Sequence, residues 1–138
     1  MKINVSDLIE QKAYDKVVEM LVEFNKIHVQ NHENDKPIEI IVRNDFDEII
    51  GGLYGRSIWG TLEIKTFVVK SENRNQGIGS RLMMAAEHEA LKRNCSFISL
   101  DTFSFQAPGF YEKIGFKRIG VELDYPKGHA KYYFRKEL

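Results

Sequence analysis

The sequence predicts one domain of the α+β or mixed α/β class, spanning residues 1–138, with elements in the order α-β-β-β-α-β-α-β-β. Three observations predict it. Apolar residues recur at helical spacing in two long stretches, short apolar runs read as strands, and turn residues stand between neighbouring runs. No repeat, low-complexity tract or Pro/Gly/Ser-rich linker divides the chain.

The first helix is expected after Ser6, a residue type suited to the N-cap. Ile9, Ala13, Val17, Met20, Leu21, Phe24 and Ile27 then return to one helical face. His32-Glu33-Asn34-Asp35-Lys36-Pro37 reads as a polar loop. Ile38–Arg43 and Glu48–Tyr54 make a hairpin around Asn44-Asp45-Phe46-Asp47, whose Asn and Asp side chains favour turns. Leu62–Val69 is a third strand, and Gly77–Asn94 a second helix with Leu82, Met83, Ala86 and Ala90 as its buried stripe. Ser96–Asp101 follows as a strand. Gln106–Ile114 is a short helix with Pro108 in its first turn and Gly115 as its left-handed terminator. Two final strands flank Tyr125-Pro126-Lys127-Gly128.

Composition excludes several classes. Lys plus Arg equals Asp plus Glu at 20 each, which argues against a nucleic-acid partner. The halves differ: residues 1–69 carry 8 basic and 12 acidic side chains, residues 70–138 carry 12 and 8. That asymmetry suits a cationic partner on one side and a phosphate-bearing one on the other. No apolar run approaches the ~20 residues of a membrane span, and MKINVSDLIEQ has no apolar signal core. With Cys95 as the single cysteine, expected to be buried and inert, a cytoplasmic location without membrane association is expected.

Arg74-Asn75-Gln76-Gly77-Ile78-Gly79 leads from a strand straight into a helix. Glycines let backbone N–H groups converge on one point, and the helix N-terminus adds partial positive charge. Such a nest suits a pyrophosphate, with Arg74, Arg81 and the Ser80 hydroxyl able to add contacts. It is not a Walker A loop, because neither glycine precedes Lys-Ser/Thr, and it lacks the third glycine of a dinucleotide fingerprint.

Arg74-x-x-Gly77-x-Gly79 after an apolar strand resembles the acetyl-CoA motif of the GNAT (GCN5-related) N-acetyltransferase superfamily. Ala107-Pro108-Gly109-Phe110-Tyr111-Glu112-Lys113-Ile114-Gly115-Phe116 resembles the second signature of that family, and the two stand in the family's order with helix and strand between them. The resemblance runs from about Ile38 to the C-terminus. It implies a mixed sheet of about six to seven strands, splayed open between Leu62–Val69 and Ser96–Asp101. Acetyl-CoA would lie in the gap, its pyrophosphate on Arg74, Asn75, Gln76, Gly77, Ile78, Gly79 and Ser80 and its pantetheine arm along Phe67, Val68 and Val69. An extended amide-bearing arm can satisfy exposed strand edges as another strand would. Where many members place Asn, seven residues before the tyrosine, this chain has Ser104, which can still offer the arm one hydrogen bond.

Acyl transfer to an amine requires that the amine lose a proton, that the thioester oxygen be stabilised, and that the leaving thiolate regain a proton. The resemblance points to Glu63 as base, 14 residues before Gly77 as in the histone acetyltransferase branch, and to Tyr111 as the acid toward sulfur. A Val68 N–H is expected to polarise the thioester oxygen. Asp101 is a second carboxylate near the splay, expected mainly to cap the following turn. The histidines form no metal set, and no metal is expected.

The implied activity is N-acetylation of a primary amine on a small molecule or peptide, by direct attack in a ternary complex. A protein lysine or N-terminal acetyltransferase and a non-catalytic acyl-CoA sensor are the alternatives. Expected partners are acetyl-CoA and the amine acceptor, with a homodimer left open. Asp45, Asp47 and Glu48 at the hairpin, with Glu33 and Asp35 before it, suggest an acidic rim for a cationic acceptor.

Overall fold

A computed structural model of the chain describes residues 1–29 and 35–138. The chain divides into two compact units, Met1–His32 and Glu33–Leu138. The first holds helix α1 (Gln11–His28). It starts later than Ser6 predicts, because the Ser6 hydroxyl accepts the Leu8 N–H at 3.0 Å and closes a local turn instead of capping a helix. Lys26 stands in the last turn, where a cation opposes the negative end of the helix dipole. No residue of α1 is buried.

The second unit is a six-stranded sheet, within the expected range. Its strands are β1 (Lys36–Arg43), β2 (Ile49–Ile58), β3 (Thr61–Val69), β4 (Phe97–Phe103), β5 (Lys117–Leu123) and β6 (Ala130–Glu137), in the spatial order β1-β2-β3-β4-β6-β5. Helix α2 (Ile78–Lys92) links β3 to β4 and α3 (Pro108–Lys113) links β4 to β5. The long α2 crossover requires β3 and β4 to run parallel, and every other pair is antiparallel.

Strand β2 is longer than its sequence suggests. Trp59 (φ 50) and Gly60 (φ 75) both adopt left-handed backbone, the requirement of a two-residue hairpin turn, so β2 and β3 pair up to Ile58↔Thr61. Gly55 stays inside this ladder because a Cβ there would lie 2.1 Å from the Glu63 carbonyl oxygen. Immediately beyond, Gly55 opposes Ile64 while Tyr54 opposes Thr66, which leaves Lys65 as the extra residue of a β-bulge. The β3–β4 ladder ends at the same level, with Glu63↔Ser99 its last rung. A bulge bends the strand that carries it, so β3 leaves β4 there and the sheet forks.

The expected α2 stripe of Leu82, Met83, Ala86 and Ala90 is buried. It belongs to the core with Leu53, Leu62, Ile64, Ile98, Leu100 and Phe134. Ala86 and Ala90 have no exposed surface, so a larger side chain at either would overpack the interface at a cost of about 1–3 kcal/mol. On β4 the alternation is strict: Ile98, Leu100 and Thr102 are buried, and Ser99, Asp101 and Phe103 project from the opposite face. Helix α3 ends in a Schellman motif, with Gly115 at φ 97, its N–H on the Glu112 carbonyl and the Phe116 N–H on the Tyr111 carbonyl at 3.0 Å. This closure fixes the direction of Tyr111.

Candidate active site

The fork opens into a cleft of about 890 Å³ between β3 and β4. At one end lies the glycine loop. Gly77 caps α2 at φ 77, and nothing lies within 4 Å of the Cβ it lacks, so the space before the helix N-terminus is open. The first intrahelical bond after it is Arg81 N–H to Gly77 O at 3.0 Å. The amides of Ile78, Gly79 and Ser80 precede that bond and face outward as donors. Gly79 answers a different need: a Cβ there would press on Phe110 at 3.3 Å and Phe67 at 3.4 Å, rings that stack 5.6 Å apart over the helix start. Arg74 sits on the cleft wall with its Nε on the Val69 carbonyl at 3.1 Å. Arg81 lines a separate, smaller depression with Arg43 and Ile78.

The wall formed by β3 can be read from its ladder. Lys70 N–H bonds Ile50 O at 2.9 Å, so alternation also turns Val68 and Thr66 toward β2. The amides of Phe67 and Val69 therefore face the gap. Val68, the expected donor to the thioester oxygen, has its N–H committed to the sheet.

At the other end of the cleft is Tyr111. It is only 6% exposed, held among Phe67, Phe110, Phe116 and Phe134, and its hydroxyl has no hydrogen-bond partner among the described residues. A buried, unpaired hydroxyl on a cleft wall is a group waiting for a ligand. Burial and then the charge of Asp101 push its pKa up to about 12. Asp101 lines the cleft too, and its Oδ1 lies 3.5 Å from Lys131 Nζ. It does not cap the turn. Gln106 does that, its Oε1 accepting the Phe103 N–H at 2.8 Å and the Thr102 hydroxyl at 3.1 Å. The Gln106 amide was missed as a structural residue because its partners precede it on a strand end.

Glu63 occupies the last rung below the fork, on the same face of the sheet as Asp101, but it is outside the cleft lining. Its Oε2 lies 3.3 Å from both Arg56 Nε and Lys65 Nζ. Of the expected donor residues, Phe67, Val68, Val69, Arg74, Asn75, Gly77, Ile78, Gly79 and Ser80 line the cleft. Gln76 and Ser104 do not. Gln76 Nε2 bonds the Glu72 carbonyl at 3.3 Å, and Ser104 Oγ accepts the Ala130 N–H at 3.0 Å, tying the end of β4 to β6.

The acidic hairpin is placed differently from its expected role. Its turn lies beside Ile50 and so beside Lys70, at the glycine-loop end of β3, whereas Asp101 and Tyr111 mark the other end. Asp47 pairs with Arg43 at 3.7 Å, Asn44 donates to Glu48 at 2.8 Å, and Asp35 lies 3.9 Å from Arg56. Glu33 and His32 lie outside the described residues. Among the described residues no three His, Cys, Asp or Glu side chains gather as a metal site would require, and no helix is long and apolar enough to cross a membrane. Cys95 is buried, and burial raises its thiol pKa.

A bulge-forked sheet, a glycine loop at a helix start and a phenol on the cleft wall occur together in this unit, and comparison with known proteins gives the class. The model of the acetyltransferase (GNAT) family matches residues 7–116. The chain is 35% identical over 121 residues to acetyltransferase Atu2258 of Agrobacterium fabrum, covering 87% of each protein. It is 34% identical over 107 residues to blasticidin-S acetyltransferase of Streptomyces morookaense, covering 75% of this chain and 79% of that protein. A crystal structure of an acetyltransferase from Bacillus cereus superposes with a TM-score of 0.85 at 30% identity, covering 98% of both chains. The chain belongs to the GNAT family and is an acetyltransferase.

Proposed function

We propose that this acetyltransferase moves the acetyl group of acetyl-CoA to a primary amine of a small molecule, by direct attack within a ternary complex. The observation that carries this reading is the cleft itself, with free helix-start amides at one end and a buried, unpartnered phenol beside a carboxylate at the other. The residues present fit the donor. Open space before Gly77 and outward amides at Ile78, Gly79 and Ser80 suit a pyrophosphate, with Arg74 beside them. The gap-facing groups of Phe67 and Val69 suit an extended amide-bearing arm.

At the chemical end, the acetyl donor supplies an activated thioester, and the chain's own groups handle protons and charge. Asp101, on the cleft wall, takes the amine proton directly or through water. Glu63 is second to it, being outside the lining and already paired with two cations. Tyr111 remains protonated throughout the physiological range and offers its hydrogen to the departing sulfur. With its pKa near 12 and an ordinary thiol near 8.5, full transfer would be uphill by about 5 kcal/mol. Its role is therefore hydrogen-bond donation to a developing thiolate, with the final proton coming from solvent or the amine. The Phe67 N–H, facing the gap, replaces Val68 as the donor to the thioester oxygen.

A small-molecule acceptor is favoured over a protein because one relative, 34% identical, is named for acetylating blasticidin S. The test is a panel of amines and peptides incubated with acetyl-CoA while free thiol is followed. Thiol release with small amines and not with peptides is expected. Release only with peptides would move the assignment to a protein acetyltransferase. Calorimetry should give micromolar CoA binding, and at 100 times the dissociation constant linkage adds about 2.7 kcal/mol to stability.

A further inference from the structure

The face of the sheet that carries Asp101 holds a second feature. Phe103 pairs with Lys131 across β4 and β6, and Asp101 pairs with Tyr133 one step along. Alternation puts all four side chains on one face, opposite buried Leu100, Phe134 and Thr102. The Lys131 ammonium lies 5.3 Å from the Tyr133 ring centre, 5.5 Å from Tyr125 and 5.8 Å from Phe103, with Asp101 Oδ1 at 3.5 Å. Three rings within about 6 Å and a carboxylate form the arrangement that recognises an organic cation.

The cage is braced from outside. Phe105 stacks on Phe103 at 5.4 Å, the Tyr125 ring meets Phe103 edge-on at 5.4 Å, and the Tyr133 hydroxyl donates to Glu122. The rings are therefore positioned by neighbours as well as by the lysine they surround. The Lys131 side chain is 18% exposed, so its stem is covered while the site still reaches solvent. Asp101 and Phe103 also line the donor cleft, so this cage and the cleft share a wall.

We infer that the cage of Asp101, Phe103, Tyr125 and Tyr133 is the ammonium subsite for the amine acceptor, and that Lys131 is its internal occupant, which the acceptor must displace. The inference deepens the proposed function and rests on it for the word acceptor; the cage as a cation site stands on its own geometry. An acceptor cation entering the cage would meet the carboxylate assigned to take its proton, beside the acetyl end of the cleft. The displaced lysine has a long flexible stem and water beside it, so it can swing out without moving the strand. The occupant would reduce apparent acceptor affinity by the fraction of time it fills the cage. It also selects for acceptors with an ammonium group, since only a cation replaces what it removes.

The test uses methylammonium as a probe of the intact protein carrying 3-fluorotyrosine, with potassium at equal ionic strength as control. In Lys131→Ala the fluorine signals of Tyr125 and Tyr133 should shift saturably with methylammonium and not with potassium, at concentrations about tenfold below those the unsubstituted protein needs. In the unsubstituted protein, tetramethylammonium, a cation with no N–H to consume the reagent, should as the probe increase the labelling of Lys131 by an amine-reactive reagent relative to the other lysines, read by mass spectrometry. This second measurement decides the matter if Lys131→Ala does not fold. No saturable shift in a folded Lys131→Ala protein, or labelling indifferent to the probe, would make Lys131 a strut between β4 and β6 and overturn the inference. Absence of thiol release with every amine would instead count against the proposed function, and the probe measurements would stand apart from it.

Discussion

The two ends of the cleft are built by different means. The glycine-loop end is made of backbone from one continuous stretch, residues 74–81, with a left-handed Gly77 and outward amides at a helix start. The other end is made of side chains from separate places, Asp101 on β4 and Tyr111 on α3, with Lys131 of β6 beside Asp101 and outside the cleft lining. The first is fixed by local dihedral preferences. The second exists only because the fork, the parallel crossover and the β4–β6 register bring distant residues together. A substitution at the first end should therefore damage binding, and one at the second should damage turnover.

The largest effect that would sharpen this contrast is at Asp101. Asp101→Asn should lower kcat/KM by about 10²–10⁴-fold near neutral pH, on the scale of a lost general base, and less at high pH where free amine is abundant. Glu63→Gln should stay within about fivefold, on a scale well below that loss. Steady-state kinetics of both variants over about pH 6–10 check the pair. A larger loss at Glu63 would return the base to the strand below the fork. Next in size, Gly77→Val should weaken CoA at least about tenfold by calorimetry. A β-branched side chain at φ 77 is strained by roughly 1–2 kcal/mol and fills the open space before the amides. Normal CoA affinity would reduce the loop to a plain turn.

Tyr111→Phe should lower kcat about tenfold, below the general acid range because a hydrogen bond rather than a full proton is lost, and leave CoA affinity within about twofold. The smallest effect concerns stability in alkali. The folded pKa of Tyr111 is raised to about 12 from 10.0, so stability is fully present below pH 10 and is lost as pH rises toward 12. Tyr111→Phe should shallow that decline in thermal melts. It should not abolish it, because Glu39 and Glu122 raise the pKa of Tyr54 and Tyr133 in the same direction. An unchanged alkaline slope would mean that Tyr111 is more open to water than its packing among four phenylalanines suggests.

The sequence by itself determined the order of elements, the α2 stripe, the Gly115 terminator and the glycine loop at the start of α2. Each of these follows from interactions within a few residues: a 3.6-residue period, a positive φ, or a helix end with free amides. It also pointed to Tyr111, because that residue is welded to the helix end that Gly115 closes. Tertiary structure decided the rest. Trp59-Gly60 carries no common hairpin signature, so the length of β2 emerged only from its ladder with β3. The bulge at Lys65 turned on a register that no single strand encodes, and with it came the fork that excludes Glu63 from the cleft and admits Asp101. The acidic hairpin looked like an acceptor rim in one dimension, and strand direction carried it to the glycine-loop end instead. The cage around Lys131 joins β4, β6 and the turn between β5 and β6. Local sequence sets which way a side chain points along its own strand, but only the pairing of strands sets what it faces.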